Sequence, residues 1–256
     1  MTYWQFLAVF IAPALVLVAI LALRQPISPA SPWRIGLLTI AVLAPVAVIT
    51  TTPWDNYLIT HDIWTYPPDR VLATIFAVPV EEYVFMITQT LATGLWTLYL
   101  LRRNDIEPEP EDYLGGQTRW VPVAGWATLF VATVTWARSD SLMYFTAIIV
   151  WFVPLLMLQS AVGSDVLHAR RQLRFLAVGV PTVLLWCADR FAIWQHIWII
   201  NPDLTVAVRP LGLPIEEMIF FLATNLLVAN SVILTTDPVL LRRLRMNSRL
   251  VAVGQR

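Results

Sequence analysis

The sequence predicts an all-α integral membrane protein with seven transmembrane helices, built as two parallel three-helix repeats joined by a linker helix. Composition, the spacing of apolar stretches and an internal repeat predict it. Hydrophobic residues make up 58% of the 256 and charged residues 13%, against about 25% charged in soluble domains. A chain this apolar cannot hide its side chains in one water-soluble core, so lipid is its expected solvent.

A bilayer core takes about 20 mostly apolar residues per helix. Seven stretches qualify, within a few residues at each end: Trp4–Leu23, Ile35–Thr52, Val78–Leu101, Val121–Trp136, Met143–Gln159, Leu173–Cys187 and Leu211–Leu234. Pro13, Pro45 and Pro154 fall inside them, tolerable because neighbouring helices can satisfy the freed carbonyls. Residues 1–23 have no basic n-region and no clear small-residue cleavage site, so they are expected to stay as the first span.

All seventeen basic residues are arginine. Thirteen fall in the loops after spans one, three and five and in the C-terminal tail; Arg70, Arg138, Arg190 and Arg209 fall on the other side. The positive-inside rule then places the N-terminus outside the cell membrane and the C-terminus in the cytoplasm, which requires an odd number of spans. A net charge of zero leaves no basic surface for nucleic acid. The lone Cys187 excludes an internal disulfide or cysteine metal cluster, and His61, His168 and His196 are too scattered for a metal motif. The acidic run Asp105–Asp112 reads as a solvated linker.

The two halves repeat. Asp55, Ile59, Ile63, Trp64, Pro68 and Asp69 match Asp189, Ile193, Ile197, Trp198, Pro202 and Asp203 at an offset of 134. After one inserted residue, Pro79, Glu81, Glu82 and Phe85 match Pro214, Glu216, Glu217 and Phe220 at 135. Two three-helix units in direct succession would insert in opposite senses; a fourth helix between them restores the orientation. The chain thus divides into a first repeat (1–104), a cytoplasmic linker with linker helix (105–137), a second repeat (138–240) and a basic tail (241–256). Such repeats pack about an axis along the membrane normal with a site at their interface.

Four of the seven glutamates open spans three and seven, as Pro79-Val80-Glu81-Glu82 and Pro214-Ile215-Glu216-Glu217. Proline at the first helical position with acids in the first turn is also what any helix N-terminus prefers, so capping in water at the interface is one reading. Against it, each site carries two adjacent acids, and the neighbours, including Phe85 and Phe220, are apolar or aromatic. Gln89 and Thr224 continue the polar face seven residues inward on each helix. Ionisable groups at membrane depth are functional candidates. Adjacent carboxyls in an apolar site cannot easily both ionise, which supplies an acid and a base side by side.

Asp55 and Asp189, at the outer ends of spans two and six, read either as interfacial ion-pair members, Arg190 following Asp189, or as partners orienting a glutamate. Asn56 stands where the second half has Arg190. Trp64 and Trp198 are repeat-matched beside the outer loops, where an aromatic face can stabilise a cation or simply pack.

At these residues the chain resembles the membrane-embedded lycopene cyclases, which are two-subunit in some actinobacteria, fused in archaea and some bacteria, and a domain of a fungal bifunctional carotenoid enzyme. That family doubles a Pro-x-Glu motif followed by Glu or Asp. Trp54-Asp55-Asn56-Tyr57 and the run Trp64–Leu72 also look like its first half, and the resemblance covers nearly the whole chain. It implies lycopene and related ψ-end carotenoids as partners within membrane lipid. It also implies a redox-neutral cyclisation of ψ-ends to β-rings, giving γ- and β-carotene. An acid protonates C2, the C5–C6 double bond closes onto the C1 cation, and a base removes a proton from C6. The family keeps the first acid of each pair and varies the second, which favours Glu81 and Glu216 over Glu82 and Glu217 for the chemistry. No Gly-x-Gly-x-x-Gly follows a strand, so no Rossmann flavin site and no cofactor are expected; a flavin held another way stays open.

A small-solute transporter of the three-plus-one-plus-three type shares the layout, but its Pro-Gln dipeptide is absent from the sequence. A retinal protein needs a lysine, and the sequence has none. An intramembrane protease of the Glu-Glu-x-x-x-Arg type fails at Phe85, Met86, Phe220 and Phe221. Another carotenoid end-group enzyme, such as a hydratase, would use the same acid chemistry.

Overall fold

In the computed structural model, which describes residues 1–24, 33–103, 108 and 112–243, helices carry most of the chain. A short α1 (Tyr3–Phe6) opens on a reciprocal capping box between Thr2 and Gln5, which satisfies two orphan amides. A π-turn over Leu7–Ile11 leads into α2 (Ala12–Leu23). The widened turn lies just before Pro13, whose ring cannot donate to, and would press on, the carbonyl four residues back. Then follow α3 (Trp33–Thr60), α4 (Val80–Arg103), α5 (Val121–Trp136), α6 (Met143–Ala169), α7 (Arg171–Trp194) and α8 (Ile215–Thr236). Six described helices, counting Tyr3–Leu23 as one, are long and apolar enough to cross a membrane. The chain is an α-helical membrane protein.

Several expected boundaries move. The fourth stretch, α5, is a helix of 16 residues, about 24 Å at 1.5 Å per residue, and falls short of the six. It lies along α6, where the Trp126 indole donates to Ser160 Oγ at 3.1 Å. The second stretch does not stop before Pro53: α3 runs on to Thr60 because Trp54, Asp55 and Leu58 are buried against the rest of the protein. Asp55 therefore lies inside a helix, as does Asp189. The prolines of the doubled motif precede their helices. Pro79 belongs to a two-residue strand, β3 (Val78–Pro79), paired with β2 (Thr74–Ile75), and Pro214 is the extended N-cap of α8. The loop expected after span five shrinks to a junction at Arg170 between α6 and α7. Most of the acidic run 105–112 and of the basic tail 241–256 lies outside the described residues.

The loops 61–79 and 195–214 take the same path. Positive φ angles fall at matched positions, 56° at Asp62 with 52° at His196, and 57° at Phe76 with 53° at Leu211. The Ile63 amide donates to Leu58 and the Ile197 amide to Ala192, at 2.9 and 3.0 Å. The Val80 amide donates to Ala73 and the Ile215 amide to Val208, both at 3.0 Å. The loops also pair with each other: β1 (Trp64–Thr65) runs antiparallel to β4 (Ile199–Ile200), with Thr65 opposite its own repeat mate Ile199.

Two cores result. One, at the end carrying these loops, is aromatic and surrounds the glutamates. The other fills the opposite half among Trp33, Ile40, Leu98, Val166 and Ile233. There α3 and α4 approach closely at Gly94, where a Cβ would fall 2.6 Å from the Ile40 side chain. Arginines gather at that second end: Arg102 over the Trp33 ring at 4.5 Å, Arg170 with Asp237 at 3.0 Å, and Arg243 with Asp165.

Candidate active site

The first turns of α4 and α8 deliver the four glutamates side by side, and all four are buried, Glu81 and Glu216 completely. They are not caps standing in water. Within each pair the acids turn to different surroundings, because adjacent residues on a helix point about 100° apart. Glu81 Oε1 accepts the Leu72 amide at 2.8 Å, and Glu216 Oε1 accepts the Val206 amide at 2.5 Å. The first acids thus tie the two loops to the two helices, and each keeps its other oxygen buried without a hydrogen-bond partner among the described residues.

The second acids face inward. Glu82 and Glu217 line one small cavity, with a volume of about 30 Å³. Tyr66 donates to Glu82 Oε1 and Tyr144 to Glu217 Oε1, each at 2.7 Å. Burial and the Glu82 carboxyl beside it push the Tyr66 hydroxyl well above its ordinary range, so Tyr66 stays a donor at any physiological pH. The other walls are largely aromatic: Trp64, Trp198, Phe85 and Phe220 as the repeat anticipates, with Phe221 and, from the N-terminal helix, Tyr3 and Phe6, beside the aliphatic Leu185 and Ala188. Phe85 and Phe221 meet edge to face at 6.1 Å, and Phe6 meets Trp198 in the same manner at 5.1 Å.

The aspartates are held differently in the two halves. Asp189 lines the cavity and accepts from the Trp198 indole at 2.9 Å; Asp55 is buried in α3 and is not among the lining residues. An ion pair between Asp189 and Arg190 does not form. Arg190 points away and donates through Nε to the Leu211 carbonyl at 2.9 Å. Asn56 does the same task with opposite polarity, accepting the Ala77 amide at 3.1 Å. Each thus secures the turn that contains a positive φ residue, and neither reaches the cavity. Gln89 and Thr224, expected on equivalent faces, meet each other at 3.0 Å, and Asn225 and Thr93 extend the buried link between α4 and α8.

Sequence reasoning did not single out Tyr3, Phe6, Tyr66, Tyr144 or Phe221. One signal was present: Tyr3 and Tyr144 occupy like places at the head of the first helix of each half, 141 residues apart. Among the described residues no cluster of His, Cys, Asp and Glu could hold a metal ion.

Fold and site together define a class: a helical membrane protein whose paired carboxyls face a small, largely aromatic cavity. Similarity sharpens this. The chain is 39% identical over 239 residues to a lycopene beta-cyclase of Halobacterium salinarum, covering 91% of this chain and 95% of that protein. It is 35% identical over 188 residues to a bifunctional lycopene cyclase/phytoene synthase of Phycomyces blakesleeanus, and 33% identical over 196 residues to one of Aspergillus oryzae. Those matches cover 70% and 74% of this chain and 31% and 33% of the fungal proteins. The chain belongs to the lycopene β-cyclase family. No family model and no solved structure matches it.

Proposed function

We propose that the protein is a lycopene β-cyclase, an intramolecular lyase that closes the ψ-ends of lycopene into β-rings. Membership of the family carries the substrate and the reaction. The observation that supports the chemistry is the pair Glu82 and Glu217 across one aromatic cavity. In this reading one of the two, as the acid, protonates C2 of the end group. The tertiary cation at C1 is attacked by the C5–C6 double bond, which forms the C1–C6 ring bond and moves the charge to C5. The other, as the carboxylate, removes the proton from C6, so protons balance and no electrons are exchanged. Trp64, Trp198 and Phe220 stabilise the passing cation, and the apolar lining and small volume of the cavity disfavour its capture by water. Glu81 and Glu216 act as positioning residues that hold the loops bearing Tyr66 and Trp198. Exclusion of water also favours ring closure over hydration, the outcome an end-group hydratase would give.

The architecture we propose keeps the two three-helix repeats, 1–104 and 138–240, with α5 as the linker crossing between them. The pairing of Thr65 with its mate Ile199 supports a twofold axis along the membrane normal. The arginine-rich end is assigned to the cytoplasm and the glutamate end to the outer side of the cell membrane.

The test is conversion of lycopene by purified protein in liposomes without nicotinamide or added flavin. β-Ring products resolved by chromatography are expected; strict dependence on reduced flavin, or a hydroxylated product, would overturn the reading.

A further inference from the structure

The cavity between Glu82 and Glu217, at about 30 Å³, has room for only about one or two waters. The branched end of a polyene cannot enter it unless a wall moves. A second cavity, of about 420 Å³, lies between α3 and the start of α6. Its deeper walls are Trp54, Met143, Ala147 and Trp151, and its ionised groups, Arg138 and Asp140, stand at one end just before α6. Tyr57 and Val150 on its margin are exposed, so the groove opens on the surface of the protein.

Trp54 separates the two spaces. Its indole donates to the Ala147 carbonyl at 3.2 Å, on the groove side. Its ring stacks on Phe220 at 5.4 Å and meets Trp64 edge-on at 5.6 Å, and both of those line the glutamate cavity. The other half is packed differently at the matching place. Ala188 holds the repeat position of Trp54 and Phe191 that of Tyr57. Phe6 packs there on Trp198 at 5.1 Å and Phe10 on Phe191 at 5.0 Å, filling the equivalent space with rings.

We propose that the groove between α3 and α6 binds the polyene shaft of the substrate, and that Trp54 is the gate through which an end group reaches Glu82 and Glu217. The assignment rests on the lycopene reading above. Continuity with the glutamate cavity through one side chain argues for the reacting hydrocarbon over a bystander lipid. The uncharged walls and two tryptophans suit a conjugated rod. Each end would then use the same mouth, one after the other.

The test fills the groove from its exposed margin. Val150→Trp should lower kcat/KM for lycopene in liposomes by about 10-fold or more with the thermal midpoint unchanged. Val9→Trp is the matched control, 141 residues earlier on the ring-filled side and also exposed; it should stay within about twofold of wild type. To separate blocking from misfolding, Val150→Cys in a Cys187→Ser background is labelled with a bulky maleimide after purification. Labelling should stop turnover, and lycopene in the liposome should slow it. Labelled and Val150→Trp proteins that both turn over like wild type would overturn the groove assignment alone. Failure of the wild type to convert lycopene would overturn the reading beneath it, and the groove assignment with it.

Discussion

The Tyr144 hydroxyl donates to Glu217 at 2.7 Å, across 73 residues of sequence, and both groups are buried. Tyr66 makes the same bond to Glu82 at the same distance, but from a loop instead of a helix. Each cavity-facing acid thus has one oxygen held by a neutral donor, an arrangement that orients a carboxyl while leaving it free to gain or lose a proton.

Tyr144→Phe and Tyr66→Phe keep ring and volume and delete that donor. A buried acceptor left without its partner costs about 1–3 kcal/mol. Both variants should unfold earlier in detergent and turn over more slowly. Unchanged melting and rate in both would mean that the phenols merely fill space.

The acids should separate into two phenotypes. Glu82→Gln and Glu217→Gln retain shape but cannot shuttle a proton, so each should lose about 100- to 10,000-fold in turnover at normal membrane abundance. Glu81→Gln and Glu216→Gln still accept the Leu72 and Val206 amides and should be milder. Glu81→Ala and Glu216→Ala, which abandon those amides, should lower stability. Turnover that survives Glu82→Gln and Glu217→Gln but disappears in Glu81→Gln would return the chemistry to the first acid of each pair.

Asp189 and Arg190 are neighbours in sequence with separate duties, and substitution should show it. Asp189→Asn removes a carboxyl from the cavity wall while its oxygen can still accept from Trp198, so turnover should fall with little change in melting. Arg190→Met releases the Leu211 turn, so melting should fall first, with KM and kcat per folded molecule nearly unchanged. Equal loss of turnover in both, at equal stability, would argue for a shared role.

The orientation prediction is independent of the chemistry. A reporter fused at the C-terminus should be active in the cytoplasm, as the thirteen-to-four arginine split requires. A periplasmic signal there would contradict the proposed crossing of α5, whose 16 residues make it shorter than each of the six long apolar helices.

Composition, periodicity and repetition were enough to read the membrane class, the helices, the doubled motif and four of the cavity's aromatic walls. These are properties of the chain that hold wherever it packs, since hydropathy and offset depend on no partner. Packing alone decided which acid of each pair faces the cavity, because two adjacent residues on a helix differ only in direction. It decided that α3 continues through Pro53, where burial of Trp54, Asp55 and Leu58 outweighs the loss of one backbone hydrogen bond. It also brought Tyr3, Phe6 and Tyr144 to the glutamates from helices remote in sequence, and stood Trp54 between groove and cavity where the other half has Ala188. Contacts between distant segments leave no local pattern in a sequence, and they are what makes the two repeated halves unequal.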